Sequence, residues 1–284
     1  MDARAPAPLC VLFDNGSLRP EATLNLRTVA LRLQAAIGAG VQPVSLLHSS
    51  AIAPSQLGGE PAQLLEPALG LLLKAGIPDL VLLPLFFGPS AALTAYVPRR
   101  LQHLRRAFPA MRIRLGRWLV DAGNRRDTRI AAILADRVRA VMRDRRLRRP
   151  SVVLVDHGSS QPEVIAVRDL LGRQVRRMLT GEIGGLAVAS MERRPGPEYD
   201  FCDPLLTTLL RRAEYARKRV VIARQFISPG RHAGPGGDIA GICRAAERAQ
   251  PGMTIHLTHP IGDDPRLIDV LADRYEAARV AAPV

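Results

Sequence analysis

Aromatic residues are scarce in this chain, at 4% of its 284 positions. The one tryptophan, Trp118, and the four tyrosines form no stripe on which bases could stack, which speaks against a single-strand nucleic-acid platform. Cysteine is sparser still. Cys10, Cys202 and Cys243 are odd in number and far apart, so they form neither a CxxC pair nor a disulfide framework, and they read as buried or incidental thiols. Long apolar runs are also missing. The longest, around Leu80 to Phe87, falls well short of the roughly 18 to 20 residues needed to span a bilayer and reads as a buried strand. At the N-terminus, Met1-Asp2-Ala3-Arg4 leads into two prolines and a short strand, without the apolar core and cleavage site of a secretory signal. A cytoplasmic protein with no membrane partner is expected.

Lysine is nearly absent too, yet the chain is basic. Forty Lys and Arg oppose 26 Asp and Glu, leaving +14, and almost all the cations are arginine. A field of this sign attracts polyanions, whether nucleic acid, anionic membrane or a small ligand with several carboxylates. The cluster Arg143-Asp144-Arg145-Arg146-Leu147-Arg148-Arg149 lies where a linker is expected and reads as a solvated charge run. No recognised RNA or DNA motif accompanies it, so nucleic acid is not an expected partner.

What is present is a strong alternation of short apolar runs with amphipathic stretches, the pattern of parallel βαβ units. Strands are predicted at Leu9 to Phe13, Val41 to Leu47, Leu80 to Phe86 and Arg112 to Leu115. Between and after them come helices at about Ala22 to Ala36, Ala62 to Lys74, Ala95 to Arg106 and Arg126 to Val141. Pro150 breaks the pattern and the order begins again. The second pass has strands at Ser151 to Val155, Leu186 to Ser190, Arg219 to Ala223 and Thr254 to Leu257. Its helices are predicted at Glu163 to Met178, Pro204 to Ala216, Asp238 to Ala249 and Pro265 to Ala278.

Self-comparison indicates a duplication. Leu12-Phe13-Asp14-Asn15-Gly16-Ser17 lies over Leu154-Val155-Asp156-His157-Gly158-Ser159, an offset of 142, and Gly88 and Gly230 share that offset after the third strands. Ile133-Leu134-Ala135-Asp136-Arg137 echoes Val270-Leu271-Ala272-Asp273-Arg274 at an offset of 137. The expected fold is therefore α/β, with two tandem units (1–146 and 147–284). Each is a small parallel sheet with helices on both faces and a cleft at the carboxyl ends of its strands, where open α/β sheets bind ligands.

Chemistry concentrates in the second unit. His157 directly follows a strand and precedes Gly158 and Ser159, residues suited to a tight turn and to capping the next helix. His232 stands in the Gly-rich loop after the third strand. Both loops emerge on one rim of a parallel sheet, so both imidazoles can serve one site as metal ligands or proton acceptors. Glu192, after the second strand, can complete a His₂-carboxylate metal site or steer a proton; alone it reads as a loop glutamate paired with Arg193 or Arg194. Arg231, Arg193, Arg194 and Arg224 are candidates, from position, for binding ligand carboxylates. His256, His259, His48 and His103 have no partner that the sequence identifies.

His157-Gly158-Ser159, Glu192, Gly230-Arg231-His232, Asp238-Ile239 and Pro260-Ile261-Gly262-Asp263-Asp264-Pro265 together resemble the sirohydrochlorin chelatase family, the class II chelatases of cobalamin and sirohaem synthesis. The likeness covers essentially all of residues 151 to 280, while the first half matches in architecture and only weakly in motif. The resemblance implies a metallochelatase, a lyase working without ATP, that inserts Co²⁺, Fe²⁺ or Ni²⁺ into a tetrapyrrole. Metal and macrocycle are then substrates, and no permanently bound cofactor is expected. It further implies that His157 and His232 bind the metal and take up pyrrole protons, with Glu192 beside them and with Gly158, Ser159, Arg231, Arg193 and Arg194 facing the macrocycle. The first unit departs from the pattern: at an offset of 142, Asn15, Ser50 and Ser90 stand opposite His157, Glu192 and His232. One active centre per chain is expected, in a monomer or a homodimer. The competing expectation is a non-catalytic metal or tetrapyrrole carrier on a decayed chelatase fold.

Overall fold

The computed structural model describes residues 7–284, so the reading of Met1 to Arg4 lies outside it. The first pass of the chain comprises β1 (Leu9–Asp14), α1 (Pro20–Ile37), β2 (Val41–Ser45), α2 (Leu65–Lys74), β3 (Asp79–Pro84), α3 (Val97–Ala107), β4 (Arg112–Leu115) and α4 (Arg129–Asp144). The second comprises β5 (Ser151–Asp156), α5 (Pro162–Met178), β6 (Gly185–Ser190), α6 (Leu206–Leu209), β7 (Arg219–Arg224), α7 (Asp238–Ala249), β8 (Thr254–Leu257) and α8 (Arg266–Arg279). They build two four-stranded sheets, parallel throughout, in the orders β2-β1-β3-β4 and β6-β5-β7-β8. This is the expected α/β duplication.

The central strands carry continuous apolar runs because helices cover both their faces. Val152, Val153, Leu154 and Val155 of β5, like Val220, Val221 and Ile222 of β7, have no exposed surface. The helices start and stop where local chemistry dictates. Pro20 opens α1 with its φ already helical and Glu21 follows in the first turn; Gly38 closes it in the left-handed conformation, donating its N–H to the Gln34 carbonyl. Pro162 and Glu163 open α5 in the same way. One predicted helix is largely absent. Within Pro204 to Ala216 only the four residues of α6 are α-helical, followed by a 3₁₀ turn at Ala213–Tyr215. The apolar spacing is satisfied, since Leu206, Leu209, Leu210 and Tyr215 are all buried. Thr207 and Thr208 favour helix poorly, and the backbone is extended again at Arg212.

Packing divides the chain differently from the sequence repeat. One compact unit consists of residues up to Leu119 together with Pro265–Val284; the other is Val120–Asp264. The last helix of each repeat is thus exchanged. Helix α4 packs on α5 and β7, while α8 packs on α1, β3 and β4. Polar contacts fix α8 in its unit: Tyr275 donates to the Pro8 carbonyl at 2.6 Å, and Arg274 to the carbonyls of Trp118 and Leu119, each at 3.1 Å. A boundary near residue 146 therefore marks where the pattern restarts, not where one packed unit ends.

The turn after the first strand of each unit is built alike. In the first unit Asp14 accepts hydrogen bonds from Ser45 Oγ at 2.7 Å and from the Gly16 N–H at 3.0 Å. Burial nevertheless pushes its carboxyl up to about 6, with both hydrogen bonds opposing the rise. Gly16 has a φ of +87°, and a Cβ there would lie 1.8 Å from the Leu47 carbonyl oxygen. Gly38, also at positive φ (+64°), would meet nothing within 4 Å.

Two predictions follow from these turns. Gly16→Ala should lower the free energy of urea unfolding by at least about 3 kcal/mol, against about 1 kcal/mol for Gly38→Ala, because only the former adds a backbone clash to the strain of positive φ; equal losses would contradict the clash. For Asp14, the folded carboxyl titrates above the ordinary aspartate range, at about 6. Its contribution to stability is present below pH 4 and is lost as pH rises through about 6. Asp14→Asn, which keeps an acceptor for Ser45, should gain on wild type over that window by no more than about 3 kcal/mol, as read from unfolding midpoints across pH.

Candidate functional site

In the Val120–Asp264 unit, β5 and β7 are the central pair, and the chain leaves them toward opposite sides of the sheet. This is the switch point at which doubly wound sheets open a crevice at their carboxyl ends. His157 follows β5, His232 lies beyond β7, and Glu192 follows β6. The structure brings these three together.

The turn that carries His157 is tightly constrained. Gly158 has a φ of +95°, and a Cβ there would sit 1.9 Å from the Glu192 carbonyl oxygen. The two loops are tied by backbone hydrogen bonds, Met191 N–H to the Asp156 carbonyl at 2.9 Å and Glu192 N–H to the His157 carbonyl at 3.2 Å. That tie sets His157 Nε2 3.4 Å from Glu192 Oε1. His157 Nδ1 lies 3.1 Å from the Gly158 carbonyl, so both of its ring nitrogens face groups that can only accept, and its one hydrogen can serve either. His232 Nδ1 lies 2.7 Å from Asp238 Oδ2, a strong acceptor, so in the neutral ring Nδ1 carries the hydrogen and Nε2 the lone pair. The two rings meet edge to face with centroids 4.7 Å apart and planes at 67°. Ser159 accepts the Gln161 N–H at 3.0 Å and so shapes the entry to α5.

Among the described residues, no group of three or more His, Cys, Asp or Glu side chains is arranged to hold a metal ion. What assembles is a pair of imidazoles with a carboxylate beside each, Glu192 at His157 Nε2 and Asp238 at His232 Nδ1, a set of donors left open toward solvent. Glu192 is 60% exposed and His157 47%.

The candidate arginines separate by burial. Arg231 is highly exposed on the His232 loop, its Nε 3.6 Å from Asp238 Oδ2, and Arg194 is exposed on the Glu192 loop. Arg193 is committed to its own loop, pairing with Asp200 at 3.0 Å and Asp203 at 3.2 Å and donating to the Gly196 carbonyl at 2.8 Å. Arg224 is buried, with burial lowering its pKa, and it donates to the carbonyls of Thr258 and Ala233. It props the His232 loop from below and is removed from the set that could meet a ligand. His256 sits on β8 with its pKa lowered by burial and by Arg145. His48, His103 and His259 are exposed, and the three cysteines are free and buried.

A buried network beneath the site was not legible as a motif. Arg168 of α5, 2% exposed, donates to Ser190 Oγ and to the Cys202 carbonyl, both at 2.7 Å, and pairs with Asp169 at 2.9 Å. Ser190 in turn donates to Asp156 Oδ1 at 2.7 Å. Burial raises the Asp156 pKa, opposed by Ser190 and by the charges of Arg168 and His157. The network ties the carboxyl ends of β5 and β6, from which His157 and Glu192 project. Its sequence signal is an arginine on the apolar stripe of α5, between Ile165 and Leu171.

The first unit lacks this equipment, although its equivalents are not those of a uniform offset. Leu47 N–H binds the Asn15 carbonyl as Glu192 N–H binds that of His157, so Leu47 and not Ser50 stands opposite Glu192. The bonds Ser90 to Gly88 and Thr94 to Ser90 match Gly230 to Ser228 and Gly234 to Gly230. That correspondence sets Ala92, not Ser90, opposite His232. Leu26 occupies the place of Arg168 on α1, equally buried. Leu47 also lines a mainly apolar cavity of about 470 Å³ between α2 and α3.

Comparison with known proteins places these observations. Residues 151–278 match the family model described as CbiX. No curated protein matches by sequence. Among solved structures, SirB from Bacillus subtilis with Fe³⁺ is similar at a TM-score of 0.70 and 16% identity, covering 96% of each chain. Sirohydrochlorin chelatase SirB from Bacillus subtilis subspecies spizizenii in complex with cobalt gives 0.69 and 16%, covering 95% of each. CbiX, the terminal enzyme for biosynthesis of siroheme in denitrifying bacteria, gives 0.60 and 15%, covering 95% of this chain and 99% of its own. The likeness in fold runs through both units, and the match to the CbiX family model falls on the segment that carries His157, Glu192 and His232.

Proposed function

We propose that this chain is a sirohydrochlorin chelatase, inserting Co²⁺, Fe²⁺ or Ni²⁺ into a carboxylate-rich tetrapyrrole of cobalamin or sirohaem synthesis. The observation that carries this reading is the imidazole pair, with the rings 4.7 Å apart and the Glu192 carboxylate 3.4 Å from His157 Nε2. The family match over residues 151–278 and the similarity to the iron- and cobalt-bound SirB structures support it.

Insertion exchanges two pyrrole N–H protons for one M²⁺, so the macrocycle nitrogens gain the metal while two protons leave. The chain must therefore hold the metal on one face of the ring and accept protons near neutral pH. Neutral imidazole does both, and first-row divalent ions accept it as ligand. An open two-histidine site suits a metal that is cargo, since a closed shell of protein ligands would compete with the four ring nitrogens. Glu192, beside His157, is suited to complete the metal's coordination or to receive the proton that His157 takes. Exposed Arg231 and Arg194, with Gly158 and Ser159 in the turn, are the groups we assign to the macrocycle; guanidinium binds carboxylate in bidentate fashion. No step calls for ATP. Among the described residues, no helix is long and apolar enough to cross a membrane. We place the reaction in the cytoplasm, in a monomer or homodimer.

The test is anaerobic: sirohydrochlorin with Co²⁺ or Fe²⁺, followed by absorbance. Wild type should exceed the spontaneous rate, and His157→Ala or His232→Ala should each reduce the catalysed rate at least about tenfold. Binding of the macrocycle without acceleration, with any of the three metals, would replace the enzyme with a carrier.

A further inference from the structure

We propose that Asp238 is a positioning residue that makes His232 the stronger of the two imidazole donors. The inference rests on the chelatase reading for its consequence, though not for its geometry. Asp238 is the first residue of α7, and the loop folds back so that the start of this helix grips His232 twice. Its Oδ2 accepts from His232 Nδ1 at 2.7 Å, and the next residue, Ile239, donates its N–H to the His232 carbonyl at 3.2 Å. Gly237 makes the return possible: a Cβ there would lie 2.5 Å from the Arg231 carbonyl oxygen and 2.8 Å from that of His232. Ring and backbone of His232 are therefore held by one rigid element.

The partner behind the His157 ring, at Nδ1, is weaker. Its Nδ1 meets a neutral carbonyl, that of its neighbour Gly158, at 3.1 Å, and its side chain is 47% exposed against 28% for His232. A carboxylate behind an imidazole fixes the tautomer and raises the electron density at the opposite nitrogen, which a peptide carbonyl does more weakly. Arg231 Nε, 3.6 Å from the same Asp238 oxygen, balances the carboxylate charge at the surface without displacing the histidine. Metal thus engages His232 first and most tightly, and His157 joins as the second, more exposed donor.

Imidazole ¹⁵N shifts of the labelled full chain, recorded without metal above about pH 8 where imidazole is neutral, read the tautomer directly. Wild-type His232 should carry its hydrogen on Nδ1. Asp238→Ala should shift it toward the Nε2–H form that a free histidine prefers, while Asp238→Asn, whose side-chain oxygen still accepts, keeps Nδ1–H. The His157 signals in the same spectra report that the rim remains folded. Co²⁺ titration should then show Asp238→Ala weakened about 10- to 100-fold, Asp238→Asn closer to wild type than to the alanine variant, and His232→Ala weaker than His157→Ala. An unchanged tautomer with unchanged Co²⁺ affinity in Asp238→Ala overturns the inference, even if wild type inserts metal. Conversely, an Asp238-dependent tautomer in a chain that neither binds Co²⁺ nor inserts it sinks the chelatase reading and leaves the positioning role standing.

Discussion

The close approach of the turn after β5 to the turn after β6 is the constraint on which the site depends. Only a residue without a Cβ fits at Gly158, where the Glu192 carbonyl occupies the space a side chain would need. That contact makes His157 and Glu192 neighbours through backbone geometry, which is stiffer than any pairing of long side chains. The same contact recurs at Gly16 and Leu47, where no chemistry remains. It is therefore a property of the fold, which the second unit exploits.

What separates the two units is polarity beneath the rim. Both keep an aspartate and a serine at the ends of neighbouring strands, bonded at 2.7 Å. Only the second adds a buried arginine. A guanidinium at 2% exposure is tolerable because its donors are met by Ser190, the Cys202 carbonyl and Asp169; stripping one partner from such a charge typically costs about 3–5 kcal/mol. The first unit has Leu26 there and forgoes that network along with the histidines. Loss of the site and loss of its support occur together.

Much of this was legible in the residues. The strands were, because four central apolar positions bounded by turn residues leave little choice of period. So was the meeting of His157, Glu192 and His232 on one rim, because a polar residue at the carboxyl edge of a parallel strand has one rim to occupy. Arg193 and Arg224 read as ligand-facing from position, yet each turned inward to the carbonyls or carboxylates of a loop, since a guanidinium meets the nearest unsatisfied acceptor before a distant one. Arg168 escaped notice because periodicity counts a charge on an apolar stripe as an interruption. Ser50 and Ser90 were set against Glu192 and His232 by a single offset, which loops of unequal length do not preserve. Helix α6 shows the limit of apolar spacing, which says what is buried and not how the backbone gets there.

The exchange of α4 and α8 has a consequence for how the chain comes into being. Residues 120–264 are continuous, so the unit with the histidines has all its parts once that stretch has left the ribosome. The other unit has its four strands made earlier and must wait for Pro265–Val284 before α8 can cover α1, β3 and β4. The order of birth is thus the reverse of the order of completion. The older half of the polypeptide keeps an apolar helix-binding face open until the segment that closes it has been made.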